Sequence, residues 1–108
     1  EKMAMGHFFD GKASLVVGTH THVPTNDVRI LVNGTAFQTD AGMCGDYNSV
    51  IGMDKTNSLN RFLKNKDSKK NFPAEGSVTL SGLIVECNTS NGLAEKAEPF
   101  IYGGELVK

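Results

Sequence analysis

Apolar residues at helical spacing predict two helices in this chain. The first covers residues 1–9 and ends around Asp10-Gly11, where an aspartate and a glycine interrupt the pattern. The second covers residues 54–63, and Asp54 is its predicted N-cap because an aspartate side chain accepts hydrogen bonds from the first helical turn. Its predicted apolar face consists of three residues, Leu59, Phe62 and Leu63.

Short runs of β-branched and apolar residues predict strands between and after the helices. Residues 14–17 form a predicted buried strand, and residues 28–32 and 35–39 form a predicted hairpin around Asn33-Gly34. Because most strands follow their partners through turns, we expect an α+β fold with mostly antiparallel strands. A second strand pair is predicted over residues 78–87 and 93–102, joined by a turn at residues 88–92.

Composition limits the classes of partner that this protein can have. The chain of 108 residues is long enough for one small domain, and its net charge of −1 indicates no general attraction to nucleic acid or membranes. No apolar run approaches the length of a membrane span. The two cysteines, Cys44 and Cys87, show no disulfide framework, which favours a reducing compartment. We therefore expect a cytoplasmic protein with neither a nucleic-acid nor a membrane partner.

The most specific chemical signal is a His-x-His pair directly after the first predicted strand. Residues 18–24 read Gly-Thr-His-Thr-His-Val-Pro. Side chains two positions apart on an extended backbone point to the same side, so we expect His20 and His22 to lie together. Gly18 permits a tight turn or a close backbone approach, and Pro24 takes the chain out of the strand. Two neutral imidazoles at a strand end are suited to metal binding.

The histidine pair also has simpler interpretations. Histidines at this spacing occur as exposed side chains or as half-buried, hydrogen-bonded rings. A catalytic metal usually takes three or more protein ligands, so His20 and His22 do not complete a site by themselves. The third histidine, His7, lies in the first predicted helix, where we expect a surface or packing role.

Three motifs occur together and in a fixed order along the chain. Gly-Thr-His-Thr-His-Val lies at residues 18–23, Thr-Asp-Ala-Gly-Met at residues 39–43 and Ile-Gly-Met-Asp at residues 51–54. This sequence closely resembles the C-terminal part of the bacterial YmdB-like metallophosphoesterases, which are calcineurin-like phosphodiesterases that act on 2′,3′-cyclic nucleotides. The similarity continues through residues 1–6 and 60–63 and covers nearly the whole chain.

The resemblance implies both a fold and a chemistry. It implies the C-terminal half of a four-layer α/β/β/α metallophosphoesterase sandwich, with metals at the sheet edge. It also implies two divalent or mixed-valence metal ions, Fe, Mn or Zn, in the full-length protein, with His20 binding one ion and His22 the other. The substrate would be a small-molecule phosphodiester, since two metals can activate a water and stabilise the phosphoryl oxygens.

The resemblance also leads to an expectation about domain organisation. The family's other metal ligands and its catalytic histidine belong to an N-terminal half without a counterpart in this sequence. We therefore expect residues 1–108 to be a single partial domain, the C-terminal fragment of a longer metallophosphoesterase domain. The inner faces of the strands at residues 15–17 and 83–85 would then be uncovered, so we expect a homo-oligomer or association with the N-terminal half.

Several other residues are weaker candidates for the site. Asp40 is a candidate for positioning a metal-binding histidine, although an aspartate beside glycines is more often a turn cap. Thr19 and Thr21 are candidates for contact with phosphate, although β-branched residues are common in strands. The loop at residues 42–47 is a candidate wall of the substrate pocket or a subunit contact, and it lacks the lysine and spacing of a P-loop. Cys44 has no base beside it in sequence, which argues against a nucleophilic role.

Other functional classes remain open at this point. Amidohydrolase barrels also use a strand-end His-x-His, but there the pair opens a long series of strand–helix units, whereas hairpins follow in this chain. Capsule-biosynthesis-type metallophosphoesterases share a Gly-x-His-x-His-Val string, although Gly-Met-Cys-Gly-Asp-Tyr at residues 42–47 favours the YmdB-like family. For residues 1–108 alone, the alternative to an enzyme is a catalytically inactive module that binds metal or assembles with partners.

Overall fold

The computed structural model describes residues 1–107 of the chain. Within these residues the elements follow in the order α1 (Lys2–Phe9), β1 (Leu15–Val17), β2 (Arg29–Ile30), β3 (Ala36–Gln38), α2 (Lys55–Phe62), β4 (Leu80–Cys87) and β5 (Ala94–Tyr102). The predicted α+β class is confirmed, and among the strand pairs β2–β3 is antiparallel, β4–β5 is a hairpin and β1–β3 is parallel.

The chain divides into two compact units. The first comprises Glu1–Gly42 and Ser81–Phe100, and the second comprises Met43–Leu80 with residues 101–107. The first unit contains α1, the three-stranded sheet and most of β4 and β5, whereas the second contains α2 and most of the loop at residues 42–47. The organisation of residues 1–108 as a single partial domain stays a prediction.

β3 is the central strand of the three-stranded sheet in the first unit. β1 pairs with it in parallel, placing Val16 opposite Phe37, and β2 pairs with its other edge in antiparallel, placing Arg29 opposite Phe37. All three residues of β3 are buried. Because β1 and β3 run in the same direction, their C-terminal ends lie at the same edge of the sheet.

The hairpin between β2 and β3 is confirmed, but its turn is one residue longer than Asn33-Gly34 predicts. The backbone N–H of Leu31 donates to the carbonyl of Thr35 at 2.8 Å, which closes the turn. Val32 therefore lies in the turn and is 99% exposed. Gly34 has a φ of 103°, the positive angle that a three-residue hairpin loop needs at its last position. The strand before the turn is correspondingly shorter than predicted.

Helix α1 packs on the sheet through its one buried residue, Gly6. The Phe37 ring, which is 1% exposed, occupies the space that a side chain at Gly6 would need. A Cβ at Gly6 would lie only 2.5 Å from Phe37 Cδ1. The Arg29 guanidinium lies 5.1 Å from the centre of the same ring. In the core of this unit, the Phe37 ring therefore packs directly against the backbone of α1 at Gly6.

Replacing Gly6 with alanine is expected to destabilise the protein by about 1–3 kcal/mol, because the new methyl group overlaps the Phe37 ring. In an open helix the same substitution would stabilise the fold by roughly 1 kcal/mol. Gly82→Ala is the matched control, since a Cβ at Gly82 meets nothing within 4 Å. Urea unfolding measures both free energies, and equal values for the two variants would contradict this packing.

Helix α2 begins at its predicted N-cap, where Asp54 Oδ1 accepts the backbone N–H of Asn57 at 2.9 Å. Its predicted apolar face is exposed rather than buried. The helix buries Asn57 instead, whose side-chain amide exchanges hydrogen bonds of 3.1 and 2.7 Å with the backbone of Lys69. The inward face of α2 is therefore the one that carries these polar contacts. The exposed apolar residues are Leu59 at 54%, Phe62 at 81% and Leu63 at 57%.

The predicted second strand pair is confirmed as β4 and β5. The backbone N–H of Asn88 donates to the carbonyl of Leu93 at 2.8 Å and closes the turn between them. Ala94 N–H then donates to Gly34 O at 2.8 Å, which joins this hairpin to the turn before β3. No helix within residues 1–107 is long and apolar enough to cross a membrane.

Candidate metal site

Both candidate ligands lie in a loop at the C-terminal edge of the three-stranded sheet. This histidine loop, residues 18–24, follows β1. On one side Gly18 exchanges two backbone hydrogen bonds, of 3.1 and 2.9 Å, with the segment 38–41. On the other side the N–H of Thr25 donates to the carbonyl of Asp40 at 3.0 Å. The loop therefore crosses over the end of β3 and is held to it at both ends.

Gly18 occupies a position where the two backbones approach closely. A Cβ at Gly18 would lie 2.1 Å from the Thr39 carbonyl oxygen and 2.9 Å from Lys2 Cδ. Since real Cβ atoms do not make contacts this short, only glycine fits there without a shift of the strand. The close approach that the glycine predicts is therefore confirmed.

The expected strand geometry of the histidine pair is wrong. β1 ends at Val17, and His20 and His22 lie on bends with φ angles of 124° and 67°. The alternation of side chains along an extended strand therefore does not apply to them. A non-glycine residue held at a positive φ costs about 1–3 kcal/mol, and such strain clusters at functional sites. Two histidines strained in this way, with one residue between them, mark this loop as the candidate site.

Asp40 provides the side chain that holds the middle of the histidine loop. It is fully buried, at 0% exposure. Its Oδ2 accepts the Thr21 backbone N–H at 2.7 Å and the Thr21 hydroxyl at 2.8 Å. Its Oδ1 accepts the N–H of Gly42 at 2.9 Å, which is the turn cap predicted for an aspartate two residues before a glycine. The role of Asp40 in positioning a histidine stays a prediction.

Lys2 connects α1 to both Asp40 and the loop. Its Nζ lies 3.5 Å from Asp40 Oδ2 and donates to the Thr19 carbonyl oxygen at 2.7 Å. Burial alone would raise the pKa of Asp40, but hydrogen bonds from Gly42 and Thr21, together with the charge of Lys2, outweigh burial and hold that pKa below its ordinary value. Asp40 is therefore an anion at neutral pH.

Asp27 is a second carboxylate at this sheet edge, and no sequence motif points to it. It accepts the Thr25 hydroxyl at 2.6 Å, the Thr39 N–H at 3.1 Å and the Thr39 hydroxyl. Burial alone would raise the pKa of Asp27, but these hydrogen bonds and the charge of Arg29 outweigh burial and lower the pKa. Asp27 thus connects Thr25, which directly follows the histidine loop, to Thr39 at the end of β3.

The donor set matches the chemistry of a metal centre in part. Imidazoles suit Zn, Mn and Fe. Both carboxylate oxygens of Asp40 already accept hydrogen bonds, so Asp40 is poorly suited to bind an ion. Within residues 1–107, no group of three or more His, Cys, Asp or Glu side chains is placed to hold an ion. His20 and His22 therefore fit a metal centre only if other ligands complete it.

The remaining candidates lie elsewhere. His7 is exposed on α1, as predicted for a surface histidine. In the loop at residues 42–47, the Tyr47 hydroxyl accepts the Met43 N–H at 2.7 Å and donates to the Met43 carbonyl at 2.8 Å, which fixes the shape of the loop. Cys44 in this loop is exposed. The expectation that the loop lines a pocket stays a prediction.

Comparison with known proteins finds relatives over nearly the whole chain. The family model described as YmdB-like protein matches residues 1–100. The Bacillus subtilis 2′,3′-cyclic-nucleotide 2′-phosphodiesterase is 47% identical over 110 residues, a match that covers 97% of this chain and 39% of that protein. The chain therefore spans well under half of the length of this relative.

Two solved structures share the fold. A hypothetical protein from Thermus thermophilus superposes with a TM-score of 0.85 at 38% identity, covering 97% of this chain and 40% of the other. A Mycoplasma pneumoniae protein described as a novel phosphatase superposes with a TM-score of 0.85 at 33% identity, covering 94% of this chain and 36% of the other. Together with the match over residues 1–100, these similarities show that the chain belongs to the YmdB-like protein family.

Proposed function

We propose that the whole protein is a metal-dependent phosphodiesterase that hydrolyses 2′,3′-cyclic nucleotides or related small phosphodiesters. His20 and His22 would each bind one of two metal ions. One observation carries this proposal: a buried carboxylate holds a loop in which both histidines of a His-x-His pair have positive φ angles. The name of the Bacillus subtilis relative supports the reaction and the substrate class.

In this proposal the residues of this chain position the metal ions and do not themselves transfer protons. Divalent ions bound to His20 and His22 would act as Lewis acids on the phosphoryl group and lower the pKa of a water. The imidazoles must be neutral to bind them, and the strained loop fixes where they lie before an ion arrives. Thr19 and Thr21 lie next to the histidines and are proposed to border the phosphate. Fe, Mn and Zn all suit such ligands, and the remaining ligands would come from the rest of the whole protein.

Chelation of the whole protein tests the proposed function. Purified protein should convert 2′,3′-cyclic AMP to the 3′-phosphate, because water adds to phosphorus and the bond to O2′ breaks. Prolonged treatment with EDTA should abolish this turnover, and added Mn²⁺, Zn²⁺ or Fe²⁺ should restore it. Unchanged turnover in protein shown by elemental analysis to contain no metal would contradict the proposal. The proposal would also be contradicted if none of the added metals gave turnover of a 2′,3′-cyclic nucleotide.

Residues 1–108 by themselves support a second candidate function, a metal-binding or assembly module. The observation that favours it is the lack of a third side-chain ligand within residues 1–107. Val17 in β1 and Ile84 in β4 are 40% and 49% exposed. We propose that these strand faces pack against the N-terminal half of the whole protein or a second copy, a choice that light scattering of the whole protein decides. Cys44 and Cys87 are exposed thiols, which persist in a reducing compartment, so we propose that the whole protein is cytoplasmic.

A further inference from the structure

We propose that Asp40 is a positioning residue for the metal site, and that it acts through Thr21 rather than by binding an ion. This inference rests on the proposed function, since it explains how His20 and His22 are held for metal binding. Lys2 is the second positioning residue, because its Nζ contacts both the Asp40 carboxylate and the backbone of the histidine loop.

The contacts of Asp40 fall on the residue between the two histidines. Oδ2 accepts both the backbone N–H and the hydroxyl of Thr21, at 2.7 and 2.8 Å. That N–H belongs to the peptide group that links His20 to Thr21, so the carboxylate fixes the orientation of this peptide. The hydroxyl contact fixes the rotamer of Thr21 as well. Asp40 therefore constrains the backbone on which both imidazoles are mounted.

The strained backbone of the loop needs such a constraint. His20 and His22 have φ angles of 124° and 67°, which a free peptide rarely adopts. Strain of this kind persists only where surrounding contacts enforce it. Asp40 is suited to enforce it because the carboxylate is fully buried and ionised, and hydrogen bonds to an anion are stronger than neutral ones.

Lys2 holds the start of the same loop. Its Nζ donates to the carbonyl oxygen of Thr19, the residue before His20, at 2.7 Å. The same Nζ lies 3.5 Å from Asp40 Oδ2, so the positive charge of Lys2 balances the negative charge of the buried carboxylate. The two residues on either side of His20, Thr19 and Thr21, are thus tied to one ion pair.

Asp40→Asn in the whole protein is the principal test. Thr21 and Gly42 donate to different oxygens of Asp40, and an amide side chain replaces one of these oxygens with an NH2 donor, so it cannot accept from both residues. It also has no charge for Lys2. Affinity for Mn²⁺, measured by competition with a chelating indicator, should fall by about 10- to 100-fold. kcat should fall in parallel at saturating substrate, while KM changes less.

Asp27→Asn is the matched control. Asp27 is also hydrogen-bonded by threonines at the same sheet edge, and its pKa is also lowered, but its contacts are with Thr25 and Thr39. Thermal unfolding should show both variants destabilised. Only Asp40→Asn should lose Mn²⁺ affinity, and an equal loss in both variants would reduce Asp40 to a general structural role and overturn the inference.

A pair of variants at Thr21 keeps the inference testable if Asp40→Asn does not fold. Thr21→Val removes the hydroxyl and keeps the shape, whereas Thr21→Ser keeps the hydroxyl. Thr21→Ser should bind Mn²⁺ several-fold more tightly than Thr21→Val, and equal affinities would overturn the inference. The proposed function fails separately: it fails if alanine at His20 or His22 leaves Mn²⁺ affinity unchanged.

Discussion

Alanine at His20 or at His22 in the whole protein is expected to abolish phosphodiester hydrolysis, with turnover reduced at least about 100-fold. Loss of an imidazole removes a ligand directly, which should cost more than the roughly 10- to 100-fold typical of residues that support ligands. The fold should survive, because both side chains lie in a loop outside the core. Turnover of 2′,3′-cyclic AMP and metal content by elemental analysis measure the two effects together.

His7→Ala is the control for this experiment. His7 is the third histidine of the chain, and it is exposed on α1. Its replacement should leave metal content and turnover at the wild-type level. Wild-type turnover in either loop variant, with wild-type metal content, would show that the ligand assignment is wrong.

Residues 1–108 produced on their own are expected to hydrolyse no phosphodiester, even with excess Mn²⁺ or Zn²⁺. Two imidazoles leave most coordination positions of an ion to water, so both affinity and geometry are poor. Within residues 1–107 no group of three or more metal-binding side chains exists. Phosphodiesterase assays on this segment, with the whole protein as positive control, measure the difference.

Contamination is the main hazard of that comparison. The same preparation carrying His20→Ala and His22→Ala together gives the background rate. Hydrolysis by residues 1–108 above that background would show that these residues complete an active site themselves. The expectation that the rest of the whole protein supplies further metal ligands would then be wrong.

Local signals in the sequence predict most of the elements in this fold. Asp54 predicts the start of α2 because capping depends on residues within one helical turn. Asn33-Gly34 predicts the β2–β3 hairpin because tight turns need residues that accept positive φ angles. The predicted turn is one residue too short, since Val32 carries no signal that separates a strand end from a turn.

Contacts between distant segments are what the sequence does not predict. The parallel pairing of β1 with β3 and the hydrogen bonds of Asp27 join segments that adjoin only in the folded chain. The exposed apolar residues of α2 show the same limit, because the helix turns Asn57 inward, and Asn57 is hydrogen-bonded to Lys69, 12 residues further along the chain. For the candidate site, the His-x-His motif predicts the candidate ligands but not the bends on which they lie.

The bends at His20 and His22 also have an evolutionary consequence. Glycine adopts positive φ angles without steric cost, so glycine is the residue that the backbone itself favours at both positions. Directed evolution for heat resistance alone would therefore enrich glycine there and erase the imidazoles. Proteins commonly trade stability for activity in this way. A sequence library selected only for folding would lose this pair, whereas one selected for growth that depends on the proposed phosphodiester hydrolysis would retain it.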